Sequence, residues 1–242
     1  MSTVTAGDVE ANRVRQRSYE SVYQSADDPW DYFSCADRIR FERIAATARR
    51  WSSQPERALD VACGLGQLTV RLAEFSREVW AYDFAPSAVQ RTRERCRQAG
   101  HERTRVEVRD ALDPGYASGS FDLILMCDMA TDGNTAWWCQ VLEKHKELLG
   151  SGGTMVVAGR VKARRRPEFE RTFADRGGVI VDRILFHDRY WYKARSAIKR
   201  VLPAACSRSL LGQDWFFNGA AAMGKLRGPQ GSIHYGVVVR FP

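Results

Sequence analysis

The chain has 242 residues, of which 44% are hydrophobic and 27% charged, a composition that can bury a globular core. No stretch approaches the ~20 apolar residues that cross a bilayer, and no secretory signal is evident at the N-terminus. The net charge of +8 arises from the last third, where residues 160–242 contain 17 Lys and Arg against 6 Asp and Glu.

The six cysteines are scattered and show no C-x-x-C spacing, which argues against a disulfide framework and a zinc site. We therefore expect a cytoplasmic protein. The basic last third raises the local concentration of anionic partners, or it is simply a solvated face. Both interpretations stay open at this stage.

In chain order, a polar, frayed start over residues 1–15 precedes helical patterning over 17–50, which Asp27-Asp28-Pro29-Trp30 interrupts. Strand-like and helix-like segments then alternate. Strands are predicted at 58–62, 78–82, 106–108, 121–127 and 154–159, and helices at 68–75, 87–99 and 137–149, with Gly150–Gly153 ending the last of these helices. This alternation predicts a doubly wound parallel sheet whose strand-end loops form one ligand-binding edge.

Beyond Gly159 the pattern weakens. We predict a helix over 168–176, a strand over 179–186 and a last strand over 232–241. Residues 189–231 read as irregular, basic and aromatic. Because that is too long for a plain connection, an inserted functional element is expected there.

The main chemical signal is the segment Leu59-Asp-Val-Ala-Cys-Gly-Leu-Gly-Gln-Leu-Thr69. Gly64 and Gly66 allow a tight turn between a strand and a helix, and the helix start favours carboxylate or phosphate oxygens. Asp83 ends the next strand, where an acidic residue can bind both ribose hydroxyls. A nucleoside cofactor is therefore expected, but Thr69 stands where dinucleotide-binding loops have a third glycine.

These motifs resemble those of the class I S-adenosylmethionine (SAM)-dependent methyltransferases. The resemblance covers about residues 55–160 and includes Asp60–Gly66, Asp83, Asp110, Phe121–Cys127 and Leu148–Gly153 in the family's order. It implies a mostly parallel seven-stranded sheet with an antiparallel last strand. It further implies an N-terminal helical lid (1–54), a SAM-binding core (55–160) and a C-terminal part (161–242) with an insertion before the last strand.

The resemblance also implies roles for single residues. The Gly64–Gly66 turn would hold the methionine part of SAM, Asp83 the ribose, and Phe84 the adenine ring. Further cofactor contacts are expected from Asp60, Ala62, Asp110, Ala111 and Cys127. Asp60 instead tethers the loop if it touches no ligand, and Ala62, where the family usually has glycine, fits if its φ is negative.

Residues Tyr23 to Tyr32, which include Asp28-Pro29-Trp30, resemble the nodulation-protein-S type of N-methyltransferase. The resemblance places this segment as a lid over the cofactor. In the alternative interpretation, Trp30 and Tyr32 only seal the sheet.

Asp128 follows the fourth predicted strand, where it can orient or deprotonate an ammonium, or cap a loop. His187 and His234 are expected at the same sheet edge, since one ends a parallel strand and the other begins the antiparallel one. They are catalytic candidates or structural histidines. His101 and His145 are expected at outer, uninvolved positions. We expect no metal, since only Asp128 and Asp132 hint at Mg²⁺.

The acceptor site is expected between the lid, Asp128 and the 187–234 element. Its aromatic candidates can stack on an acceptor or desolvate an amine beside the sulfonium; they are Tyr19, Tyr23, Trp30, Tyr32, Tyr190 and Trp215. The leading prediction is N-methylation of a small molecule, an amino sugar or a natural-product intermediate. O-methylation, and RNA methylation or nucleic-acid binding through the basic last third, remain alternatives.

Overall fold

A computed structural model describes residues 6–32, 34–129 and 135–242. Its centre is a seven-stranded sheet in the order β3-β2-β1-β4-β5-β7-β6, in which only β7 runs antiparallel to its neighbours. The strands are β1 (Arg57–Val61), β2 (Glu78–Asp83), β3 (Thr104–Val108), β4 (Phe121–Cys127), β5 (Leu149–Arg160), β6 (Val179–Leu185) and β7 (His234–Arg240). The predicted doubly wound, mostly parallel sheet is confirmed.

Helices cover both faces of the sheet. They are α1 (Ala6–Ser25), α2 (Cys35–Trp51), α3 (Gln67–Ala73), α4 (Pro86–Gln98), α5 (Thr135–Lys146), α6 (Arg166–Ala174), α7 (Arg189–Val201), α8 (Ala204–Leu211) and α9 (Asp214–Leu226). Short 3-10 helices span Ala163–Arg165 and Gly228–Gly231. None of the helices in the described ranges is long and apolar enough to span a membrane.

The strands read as continuous apolar runs because helices bury them from both sides. In β4, alternate residues enter two cores, with Ile124 and Met126 facing α5 and α6, and Leu123 and Leu125 facing α2 and α3. The chain enters α2 through Ser34, whose hydroxyl caps the helix by accepting from the Asp37 amide at 3.3 Å.

The chain reverses its direction across the sheet between β1 and β4, since β2 and β3 lie on one side and β5 to β7 on the other. In open α/β sheets, ligands bind at the carboxyl ends of the strands where this reversal occurs. The residues that follow β1 and β4 are therefore the first place to look for a site.

Three predictions about local structure are wrong. Residues 6–15 belong to α1 rather than to a frayed start, and Gly150–Gly153 lie within β5, opposite an irregularity in its pairing with β4. Residues 189–231 are helical rather than irregular. In α9, the buried Phe217, Ala221 and Gly224 follow helical i, i+4, i+7 spacing, which the surrounding basic and aromatic residues obscured.

The insertion formed by α7, α8 and α9 packs on the start of α2. Trp191, Leu211 and Phe217 form a small core with Cys35 and Ala36. The Cys35 thiol donates to the Leu211 carbonyl at 2.8 Å. These buried aromatics thus hold the insertion together.

Candidate functional site

The turn between β1 and α3 requires glycine at two positions. Gly64 and Gly66 have φ values of +55° and +74°. A Cβ on Gly66 would lie 2.9 Å from Thr92 Cγ2, and one on Gly64 would lie 3.1 Å from the Tyr23 hydroxyl. Any other residue at these two positions would therefore adopt a strained backbone conformation and lie close to Tyr23 or Thr92.

Ala62 also adopts a left-handed conformation, with φ of +56°, so the condition under which alanine was expected to fit easily is not met. The chain must leave β1 abruptly to form the turn, and glycine would do this without steric cost. For alanine the conformation costs about 1 kcal/mol.

Asp60 lies beneath the turn and is 2% exposed. Its carboxylate accepts a 2.6 Å hydrogen bond from the Thr69 hydroxyl in α3. Burial raises the pKa of Asp60 to about 7, and the Thr69 bond opposes this. The structure thus shows Asp60 tethering β1 to α3.

Asp83, at the end of β2, joins the first two loops of the sheet edge. Its two carboxylate oxygens accept from the amides of Gly64 (3.1 Å) and Ala85 (3.0 Å). Burial raises its pKa to about 6, although these amide bonds act in the opposite direction. The Phe84 amide also bonds this carboxylate, which leaves part of its acceptor capacity for a further donor.

Helix α1 lies over this edge. The Glu20 carboxylate accepts from the Ser87 amide at the start of α4, and the Gln16 amide donates to the Phe84 carbonyl at 2.7 Å. Tyr19 packs on Phe84 and on Trp30, with ring centroids 5.3 and 5.8 Å apart. The Phe84 ring, which the resemblance assigns to adenine, therefore contacts Tyr19 of the lid.

A cavity of about 40 Å³ lies between the turn after β1, the end of β4 and the lid. It brings together several sequence-predicted residues, namely Asp60, Ala62, Gly64, Cys127, Asp128, Tyr23 and Tyr32. Small-molecule sites usually measure roughly 300–1,000 Å³. This cavity by itself therefore holds only part of a nucleoside ligand.

The sequence analysis missed Arg40, the buried cation of this site. Its guanidinium, on a residue 3% exposed, bonds Asp128 Oδ1 at 3.0 Å and Oδ2 at 2.8 Å, and Asp37 Oδ1 at 2.8 Å. Burial alone would lower the pKa of Arg40, but Asp128, Cys127 and Asp37 raise it well above its usual value. The available signal was a charged residue on the apolar stripe of α2, beside Phe41 and Ile44.

His234 pairs with a buried carboxylate. Its Nδ1 lies 2.5 Å from Asp188 Oδ2. Burial alone would raise the pKa of Asp188, but the bond and charge of His234, together with the amides of Ile233 and His234, lower it. The His234 ring lies 5.3 Å from Tyr192, whose hydroxyl donates towards Asp37 at 3.4 Å. Polar and aromatic contacts thus connect His234 to the Asp37–Arg40–Asp128 cluster.

Several predicted residues lie outside the cavity. Asp110 and Ala111 follow β3 at the same sheet edge, and His187 lies beneath α9 with φ of +57°. Trp215 is 65% exposed on α9, and Tyr190 lies at the start of α7. Asp132 is outside the described residues, which contain no cluster of potential metal ligands.

The prediction that His145 lies at an outer position is wrong, because the residue is fully buried. Its Nε2 lies 2.5 Å from the Tyr82 hydroxyl, and its Nδ1 lies 2.7 Å from the Val141 carbonyl. Burial lowers its pKa to about 4, which keeps it a neutral core residue.

Comparison with known proteins gives the same class as the motifs. Residues 58–153 match the family model described as a methyltransferase domain. Nodulation protein S of Sinorhizobium fredii is 31% identical over 96 residues, which cover 38% of this chain and 44% of that protein. A probable non-canonical nonribosomal peptide synthetase, CymA of Salinispora arenicola, is 36% identical over 105 residues, which cover 43% of this chain and 1% of CymA.

Among solved structures, the N-methyltransferase NodS of Bradyrhizobium japonicum, in complex with S-adenosylhomocysteine (SAH), has a TM-score of 0.64 at 16% identity. The alignment covers 94% of this chain and 98% of that one. The [4+2]-cyclase SpnF has a TM-score of 0.61 at 16% identity, with 83% and 81% covered.

Residues 58–153 thus match a methyltransferase domain, and the fold is that of solved class I SAM-dependent methyltransferases. Within that class, the chain resembles nodulation protein S. The chain spans less than half the length of the curated relatives it matches.

Proposed function

We propose that the chain transfers the methyl group of SAM to the nitrogen of a small-molecule amine. One observation is central: the glycine turn and Asp128 line the same cavity, beneath Tyr23 and Tyr32. A donor held by the turn and an acceptor held by Asp128 would meet there under an aromatic cover.

The residues present fit SAM. Gly64 and Gly66 offer a turn without side chains for its methionine part, and the remaining acceptor capacity of Asp83 suits ribose hydroxyls. Phe84, Asp110 and Ala111 remain the proposed adenine contacts, with Cys127 beneath the cofactor. When bound, SAM supplies an electrophilic methyl group on a sulfonium.

Asp128 is proposed to bind the acceptor. Arg40 fixes both of its oxygens, so its remaining lone pairs can orient an amine N–H towards the cofactor. Tyr23 and Tyr32 exclude water, and aromatic faces favour a methylated ammonium product. Alignment and desolvation of this kind can lower the activation free energy of the transfer by ~7–11 kcal/mol.

The remaining assignments follow the same geometry. The N-terminal lid (residues 1–54) admits and covers the ligands that the core (residues 55–160) binds. The C-terminal part (residues 161–242) holds the lid in place. In this proposal Tyr19, Trp30, Tyr190 and Trp215 stay acceptor-side candidates, with His187 and His234 as alternative bases. The buried Asp188 partner makes His234 the better oriented of the two. The cytoplasmic location stays a prediction.

The relatives support nitrogen as the acceptor atom. NodS is described as an N-methyltransferase, and a structure of a sarcosine dimethylglycine methyltransferase from Galdieria sulphuraria has a TM-score of 0.58 at 15% identity. SpnF, a cyclase, shows that the fold alone does not set the reaction. Methyl transfer must therefore be measured directly.

The test combines calorimetry with SAM and SAH and a methyl-transfer assay on matched amines and alcohols. We expect binding of both cofactors and transfer to amines. Asp128→Asn should cut turnover roughly 10²-fold while SAH affinity changes little. Asp113→Asn, an exposed carboxylate outside the cavity, is the matched control. Binding of NAD in place of SAM and SAH, or transfer only to alcohols or RNA, would overturn the proposal.

A further inference from the structure

A second concave site lies on the face of the sheet that α6 covers. It is a groove of about 960 Å³ at the end of β6 and the start of β7, and it shares no lining residue with the cofactor cavity. Tyr235 lies on the same side of the sheet as the groove and packs on Phe169. The adjacent His234 faces Phe186 on the opposite side of the sheet.

The groove is strongly basic. Its lining contains six cations and one acid: Lys162, Arg164, Arg166, Arg183, Arg189, Arg227 and Glu170. Glu170 is already paired with Arg183 and also accepts from the Tyr235 hydroxyl. Glu170 therefore offsets only one of the six positive charges that line the groove.

One of these cations, Arg166, is buried, and the charges of Asp188 and Glu170 oppose the effect of that burial on its pKa. Arg166 is 6% exposed and donates to the carbonyls of Pro229 (2.6 Å) and Ser232 (2.9 Å) rather than to a carboxylate. Its Nε and that of Arg189 are buried and find no hydrogen-bond partner in the described ranges. Burial lowers the pKa of Arg166, and the charge of Arg189 acts in the same direction. Such a cluster favours an anion.

Two helices begin at the groove. Arg166 and Pro167 open α6, and Arg189 opens α7; neither helix has a side-chain hydrogen bond at its N-cap. Helix N-termini add positive potential to that of the arginines, which favours phosphate oxygens.

We propose that this groove is a binding site for an organic diphosphate, separate from the cofactor site. Its arginines and helix starts bind the phosphates, while Leu185, Pro167 and Pro229 provide apolar lining for the organic part. The volume suits a drug-sized ligand of roughly 300–1,000 Å³ rather than an isolated phosphate.

The test uses the full chain, saturated with SAH so that the cofactor site is blocked. Calorimetry at low ionic strength measures binding of pyrophosphate and of uridine diphosphate, a nucleotide without adenine. The test variant R164A/R227A removes two exposed groove arginines for which no ion pair is recorded among the described residues. The control R200A/R208A removes two exposed charges of the same third from α7 and α8, outside the groove.

We expect both probes to bind, and R164A/R227A to weaken them about tenfold or more, the scale of lost charge-assisted hydrogen bonds. R200A/R208A should change binding less than about twofold, since screening weakens distant charges. SAH affinity should stay unchanged in both variants, which separates this site from the proposed methyl transfer.

Three results would overturn the proposal. The first is no binding of either probe to the unchanged protein. The second is equal weakening by both double variants, which would mean a diffuse charge effect. The third is that an RNA oligomer binds more tightly than uridine diphosphate, and that its binding constant falls with salt concentration as expected for the release of several counterions. That result would make the basic third a nucleic-acid surface.

Discussion

Arg40 connects stability and chemistry at the scale of single residues. It is buried between Asp37 and Asp128 and bonds both carboxylates, so removing it leaves two acids with no guanidinium to offset their burial. Asp128 itself has φ of +59° at the end of β4, so its carboxylate depends on this partner for its orientation.

Arg40→Ala should therefore lower the free energy of unfolding by about 3–5 kcal/mol, the cost of breaking a buried ion pair. Urea unfolding measures this. Arg38→Ala, on the same helix, is the control, because Arg38 pairs with Glu42 and Asp214 at the surface and should cost less than about 1 kcal/mol. Similar losses in the two variants would show that Arg40 has no special role.

Asp83 is the residue with which to test the cofactor site. Asp83→Ala should weaken SAH binding by about 1.5–3 kcal/mol, the scale for hydrogen bonds to a charged group. Since burial raises its pKa to about 6, SAH affinity of the unchanged protein should also rise between about pH 5 and 7. Calorimetry across this range, with thermal unfolding to verify folding, checks both; a flat profile and unchanged affinity would place the ribose elsewhere.

At the scale of elements, the site is formed where α1 meets the core. The lid is attached on both sides, to α4 through Glu20 and Ser87, and to α7 through the ion pairs of Asp31 with Arg195 and Lys199. Since substrate-covering elements commonly open for ligand exchange, we expect ligand entry and release to loosen this attachment.

Glu20→Ala should accelerate SAH association and dissociation about tenfold by removing the contacts of α1 with the start of α4, worth about 1–2 kcal/mol. Stopped-flow measurements of the two rates check this. Gln24→Ala is the control, since Gln24 is exposed on the same helix and bonds only Glu20 among the described contacts. Unaltered rates in Glu20→Ala would mean that α1 does not limit access.

At the scale of the whole molecule, two buried carboxyls affect the dependence of stability on pH. Burial raises the pKa of Asp60 from 3.8 to about 7 and that of Asp83 to about 6. The folded state thus keeps these protons to a higher pH than the unfolded chain does. Their stabilising contribution is complete below about pH 4 and is lost as the pH rises through about 6 to 7.

Asp60→Asn should remove part of this dependence. As the pH rises between about 4 and 7, each carboxyl lowers the free energy of unfolding by at most about 1.4 kcal/mol per pH unit. Asparagine does not titrate in this range. Unfolding in urea at a series of pH values, without cofactor, compares the two slopes. A slope that the substitution leaves unchanged would show that Asp60 does not titrate in this range.

How far sequence alone leads depends on how local each feature is. Strand patterning and the conformational freedom of glycine predicted the limits of β4, the glycine turn and the acid at the end of β2, because these signals lie in contiguous residues. The family resemblance, which also rests on contiguous motifs, implied the antiparallel last strand. The helices of the insertion were not, since their buried faces form only against α2.

The sequence by itself determined the doubly wound sheet and the edge where a nucleoside cofactor would bind, because hydrophobic period and turn chemistry act over a few residues. Only the tertiary structure decided that Arg40 meets Asp128, that Ala62 is left-handed and that the lid bonds α4 and α7. These features depend on side chains 60 or more positions apart, or on where packing directs the backbone, and no local pattern specifies such distances.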